Sequence, residues 1–195
     1  MMMGMRVALG FRAHSGWAAA VAAGGGLDAP RIVDRRRITI ADPEMAGSKQ
    51  PYHAAAEIPF AEAEALVRKA IDSSRALASE AITATLKQLR LAGHEVVACG
   101  IVAGSGKPLP PLDRILASHP IIHTAEGEMF REALVWAAGD CGLPAATVRE
   151  KEMDAAALGR LQGLGKLLGP PWTQDQKYAT VAALYALSRR AAAKS

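Results

Sequence analysis

Residues 6–40, RVALGFRAHSGWAAAVAAGGGLDAPRIVDRRRITI, decide the fold. Arg6 to Gly10 is a short apolar run with a β-branched residue, followed by a loop from Phe11 to Gly16. Trp17 to Ala23 is a second apolar run, closed by Gly24-Gly25-Gly26. From Arg31 to Ile40 the pattern alternates, with Ile32, Ile38 and Ile40 on one parity and Asp34 and Arg36 between them. Three strands at such close spacing read as an antiparallel meander. Arg35, Arg36 and Arg37 on the third strand read either as a nucleic-acid patch or as charges that keep a sheet edge from pairing with another chain. The second reading is preferred, because charge is a common guard on edge strands.

Beyond the meander, Ala41 to Ile58 holds Pro43, Gly47 and Pro51 with little periodicity, and reads as a long loop, a candidate lid or contact surface. Pro59 then opens a long helix, 59–92, with Glu62 and Glu64 near its start and Gly93 as its stop. Its apolar stripe of Val67, Ile71, Ala78, Ile82, Leu86 and Leu89 is interrupted at Asp72-Ser73-Ser74, the place for a bend or a join between two helices. Glu95 to Val102 is almost continuously apolar, as expected of a central strand covered on both faces. Pro108 to Ile122 is proline-rich, with a short helical turn around Leu112 to Ala117. A helix is expected from Thr124 to Gly142, a weaker strand from Ala145 to Glu150 and a helical stretch from Asp154 to Leu168. The last helix runs from Thr173 to Ala192, with Thr173 and Gln176 as a capping box and Asp175 near its positive end.

The order β-β-β-α-β-α-β-α belongs to the α/β class: a mixed five-stranded sheet flanked by helices. The 195 residues, 50% hydrophobic and 22% charged, suit one globular domain spanning 1–195, without internal repeat or linker. A net charge of +4, with Lys and Arg scattered, permits contact with nucleic acid or phosphate without requiring it. Cys99 and Cys141 lack metal-ligand spacing and read as reduced thiols of a cytoplasmic protein. No apolar run approaches the roughly 20 residues of a membrane span, and no targeting segment is evident. The richness in Ala, Gly and Arg points to a GC-rich, bacterial genome. Trp17, Trp136 and Trp172 are expected in the core.

This order resembles the ribonuclease H-like superfamily, in particular the RuvC-type Holliday-junction resolvases. Leu9-Gly10-Phe11-Arg12-Ala13-His14-Ser15-Gly16-Trp17 looks like their first strand and turn, and Ala182-Ala183-Leu184-Tyr185-Ala186-Leu187 looks like their final helix. The resemblance implies two divalent metals held by carboxylates on the first strand, at the end of the fourth strand and on the last helix. The clamp on a phosphodiester needs hard oxygen ligands for such ions. This chain departs from that pattern. Arg12 fills the first-strand aspartate position, Val102 to Lys107 contains no acid, and only Asp175 remains near the last helix.

Three places merit attention as sites. Arg12, His14 and Ser15 occupy the first turn, where relatives in the superfamily hold phosphate, and Arg12 suits an anion. Gly104-Ser105-Gly106-Lys107 follows the central strand, a usual place for a ligand in an open α/β sheet. It is not a P-loop, because Ile101 and Pro108 stand where a glycine and a Ser or Thr are needed and the prolines prevent the helix. His119, His123, Glu126 and Glu128 are the densest group of metal-ligating types. Pro120 is expected to prevent helical pairing of the two imidazoles, leaving them about 13 Å apart on an extended segment. His123 and Glu126 then border a polar pocket, and neither a metal nor a cofactor is expected.

The leading reading is a non-catalytic ribonuclease H-like domain that binds an anionic ligand or a macromolecular partner at Arg12, His14 and Ser105 to Lys107. A second is a metal-dependent nuclease with relocated acids from Asp34, Glu95 or Asp175. The third is a nucleotide-dependent phosphotransfer enzyme using the two glycine turns.

Overall fold

In the computed structural model, which describes residues 4–153 and 155–192, β1 (Arg6–His14) and β2 (Trp17–Gly25) meet at a two-residue turn. Its second residue has φ +82°, a conformation that glycine adopts without strain, and Gly16 stands there. The segment Phe11 to His14 is therefore strand, not loop. It pairs with Trp17 to Ala20, three of them alanines that leave the ladder unobstructed. The third strand, β3 (Pro30–Thr39), lies antiparallel to β2, while β4 (Glu95–Ala103) and β5 (Ala145–Arg149) run parallel to β1. The sheet order is β3-β2-β1-β4-β5, so the meander and the crossovers form one mixed sheet as expected.

Strand β3 is indeed an edge, and its arginines turn inward on the chain itself. Arg35 donates to the carbonyl oxygens of Leu168, Gly169 and Pro171, and Arg36 to Asp34 and Gln88. Arg37 lies 3.9 Å over the Trp17 ring. The tryptophans depart from the expected core position: Trp17 and Trp172 are half-buried, and Trp136 stands furthest out. It is 44% exposed, with Arg75 above its ring.

The segment 41–58 is not all loop. Within it sits the helix α1 (Pro51–Ala56), with Tyr52 and Ala55 buried. Pro51 occupies the first turn, where a missing N–H costs nothing and the fixed φ favours the helix. Helix α2 (Phe60–Leu91) is unbroken through Asp72-Ser73-Ser74, and Ser74 is simply buried. It ends at Gly93 (φ +85°), with Gly93 N–H on Arg90 O and His94 N–H on Leu89 O closing its last turn. After α3 (Leu112–Leu116), helix α4 spans His119–Asp140, five residues earlier than its expected start. The C-terminal part comprises a 3-10 turn (Glu150–Glu152), α5 (Ala155–Gly163), α6 (Gly165–Leu168) and α7 (Gln174–Ala192). Asp154, expected to open that helical stretch, lies outside the described residues. The capping box of α7 is present: Gln176 N–H donates to Thr173 Oγ1, and Thr173 N–H to Gln176 Oε1. Among the described residues no helix is long and apolar enough to cross a membrane.

Helices α2 and α4 cover one face of the sheet over Leu9, Phe11, Cys99 and Ile101, and α7 covers the other over Ala8 and Ala98. The second face is built of small residues. Gly10 and Gly100 are register partners on neighbouring strands, and a Cβ on either would fall 1.8 Å from Ala179 O or 1.9 Å from Ala182 O. The backbone of α7 thus rests directly on the backbone of β1 and β4. This seating puts the first turn of α7 above the C-terminal end of β1.

Both cysteines are free, Cys99 buried and Cys141 half-buried. Burial, with a lesser contribution from Cys141, pushes the Cys99 thiol up to about 12, so it carries no thiolate at mildly alkaline pH. A disulfide reagent is expected to titrate one thiol per native chain rapidly and two after denaturation. Rapid reaction of both in the native protein contradicts the buried placement of Cys99.

Candidate functional site

Arg12 shares the parity of Ala8 and Gly10, so its side chain leaves β1 on the α7 face. There it meets two carboxylates from other elements. Nη1 donates to Glu150 Oε2 at 2.6 Å, and Nε lies 3.8 Å from Asp175 Oδ1. The guanidinium carbon stands 5.3 Å from the centre of the Tyr178 ring, one turn further along α7. Glu150 is the first residue after β5, and Asp175 lies in the first turn of α7, where the helix dipole favours an anion. Strands β1 and β5 are separated by β4, about 10 Å in all. Arg12 spans that gap to reach Glu150.

Around this bridge lies a cleft of about 490 Å³ at the C-terminal ends of β1, β4 and β5. Arg12, Ser105 and Lys107 line it together. Arg131, Arg149, Glu150 and Lys151 complete its charged lining, giving five cations to one carboxylate. Two of these cations are partly neutralised from behind. Arg131 donates to Glu128 at 2.6 Å, and Arg149 pairs with Glu152, whose carboxyl is held below its usual range by that guanidinium. Among the described residues, no carboxylate lies within ion-pair distance of Lys107 or Lys151.

The remaining sequence candidates fall elsewhere. His14 does not line this cleft: its ring stacks on Trp17, centroids 4.3 Å apart, and Nε2 lies 3.0 Å from Asp175 Oδ1. It therefore belongs to the far side of Asp175, beside a second cavity lined by Trp17 and Arg35 to Arg37. Ser15 is exposed in the hairpin turn. The preferred site moves from that turn back along the strand to Arg12. Of the acids considered for relocation, Asp175 alone reaches the cleft region. Asp34 is held by Arg36 on β3, and Glu95 pairs with Arg6 at the opposite end of β4.

His123 and Glu126 also lie apart from the Arg12 cleft, in a group that overturns the expected separation of the histidines. Pro120 occupies the first turn of α4, where proline is tolerated, so His119 and His123 stand at i and i+4 on one helix. Their ring centroids are 4.5 Å apart, and His53 from α1 closes the group at 4.7 Å from His123 and 5.1 Å from His119. Glu126 is buried and accepts both the backbone N–H and, at 2.9 Å, the Nδ1–H of His53. Sequence reading missed His53 because it was assigned to a loop. It missed Glu150 because only the end of a strand marks it.

No protein-family model matches this chain, and no curated protein matches it in sequence. Solved structures do match. Thermus thermophilus RuvC in complex with a Holliday junction substrate superposes with a TM-score of 0.51 at 12% identity, covering 92% of this chain and 90% of that one. A second Thermus thermophilus RuvC structure gives 0.48 at 11% identity, with 91% of each chain covered. At such identity the likeness is one of fold. The architecture of this chain, a mixed five-stranded sheet flanked by helices, is that of RuvC and consistent with the ribonuclease H-like fold.

Proposed function

We propose that this chain is a divergent ribonuclease H-like domain that binds a phosphate-bearing ligand in the Arg12 cleft and does not cleave it. The observation that carries this reading is the seating of the Arg12 guanidinium between Glu150 and Asp175. Those two carboxylates stand at the end of β5 and in the first turn of α7, and a side-chain cation already occupies them. A divalent ion about 4 Å from that guanidinium meets repulsion on the order of 8 kcal/mol at an effective dielectric near 20. The residues present therefore do not fit a pair of hard divalent ions. They fit an anion: Lys107 and Lys151 line the cleft with no carboxylate within ion-pair distance among the described residues, and Ser105 and Arg12 line it with them.

The solved RuvC structure holds a Holliday junction, which makes the nucleic-acid backbone the first ligand to test. Fluorescence anisotropy with labelled four-way junction, duplex and single-stranded DNA, and with a labelled nucleotide, separates a polymer from a small phosphate ligand. Binding of at least one is expected, and it should weaken as salt rises. Lys107→Ala and Lys151→Ala should each lower the affinity for every DNA alike and reduce the salt slope by about 1. Indifference of all four probes to the protein, or no change in the two variants, removes the reading.

A further inference from the structure

We propose that His53, His119 and His123 form a binding site for a transition-metal ion, zinc foremost, with one coordination position open to solvent. The site is independent of the Arg12 cleft. His123 lies eight residues before Arg131 on α4, about 12 Å along the helix axis, and no residue is shared. Three observations carry the inference.

The first is convergence. A ligating nitrogen from each imidazole lies within 4.8 Å of the other two, although the residues come from two helices far apart in sequence. His53 Nε2 and His119 Nε2 are 3.3 Å apart. Tetrahedral coordination with zinc–nitrogen bonds of about 2.0–2.1 Å separates two ligand nitrogens by about 3.3–3.4 Å, so this pair already stands at ligand spacing.

The second is the carboxylate behind the ligands. Glu126 is 3% exposed and lies 2.9 Å from His53 Nδ1. A hydrogen bond from Nδ1–H to that carboxylate leaves the Nε2 lone pair of a neutral His53 facing the other two rings. Carboxylates placed in this way fix the tautomer and orientation of metal-bound histidines and raise their basicity. Glu126 also accepts the His53 backbone N–H, so it holds the residue as well as the ring.

The third is the donor set. Three imidazoles without a first-rank carboxylate suit zinc, copper or nickel and are poor ligands for magnesium or calcium. His119 and His123 are exposed, which leaves the fourth position to water. Three protein ligands plus one open position is the stoichiometry of zinc sites that act on a bound molecule rather than only brace a fold.

The test uses full-length protein without a histidine tag, stripped with a chelator and then titrated with ZnCl₂ by calorimetry. Cobalt substitution is followed in parallel by its visible spectrum. The expected result is one zinc per chain, an intense tetrahedral cobalt spectrum and a raised melting temperature with zinc. His119→Ala and His123→Ala should each weaken zinc binding at least 10-fold, and Glu126→Gln by about 10- to 100-fold. Both histidines are exposed, so the apo melting temperature of their variants should match that of the unaltered apo protein, and loss of zinc is then not loss of fold. MgCl₂ should give no heat at this site. Absence of stoichiometric zinc in the unaltered protein overturns the proposal, as does zinc binding that survives both histidine substitutions.

Discussion

Gly10→Ala and Gly100→Ala are each expected to lower the melting temperature more than any exposed substitution in the chain. A methyl group at either position meets a backbone carbonyl oxygen of α7 at less than 2 Å, and a backbone atom has no rotamer to move into. The helix must lift from the sheet, exposing Ala8 of β1 and the helix's own Ala179, Ala183 and Leu184, which are all buried in that interface. Overpacking of this kind costs about 3 kcal/mol or more, and in a domain of this size that corresponds to roughly 6–12 °C. Either variant should also disturb the Arg12 cleft, since Asp175 is placed by the seating of α7. Thermal unfolding followed by circular dichroism measures this directly. A melting temperature within about 2 °C of the unaltered protein contradicts the close approach.

Arg12→Asp is expected to reverse the local charge between Glu150 and Asp175 and with it the response to magnesium. The substitution removes the cation between Glu150 and Asp175 and adds a third carboxylate. Without divalent ions the variant should lose about 2 kcal/mol, from the broken charge-assisted hydrogen bond and the crowding of like charges. Millimolar MgCl₂ should recover much of that loss and raise the melting temperature of the variant, because an ion that binds only the folded state stabilises it. The unaltered protein should show no such response. If the variant is as indifferent to magnesium as the unaltered chain, the carboxylates are not arranged as an ion site and Arg12 is not standing in for one.

The strand order was legible in residues 6–40 and 95–102 because strand periodicity and glycine punctuation are local signals. Two misreadings share one physical cause. Pro51 contributes to the loop reading of 41–58 and Pro120 to the extended reading of 119–123, whereas both stand in a first turn, where proline favours a helix. The error at Pro51 hid α1 and with it His53, and the error at Pro120 spread His119 and His123 apart, so the histidine group was lost twice over. The Arg12 cleft was legible in part. Strand ends marked Arg12, Ser105 and Lys107, but Glu150 and Lys151 come to the cleft only through the parallel pairing of β4 with β5, a long-range contact without a local signature. The register match of Gly10 with Gly100 is equally invisible along the chain, although it decides where α7 lies.

We propose that side-chain cations in this cleft hold a phosphate backbone without metal ions and without cleaving it. The most direct measurement is the affinity and fate of a labelled four-way DNA junction with EDTA and then with MgCl₂, at constant ionic strength. The account predicts binding in EDTA that magnesium does not strengthen, weakened by Lys107→Ala and Lys151→Ala, with the DNA recovered intact. Binding that requires magnesium, or magnesium-dependent cleavage abolished by Glu150→Gln or Asp175→Asn, contradicts it.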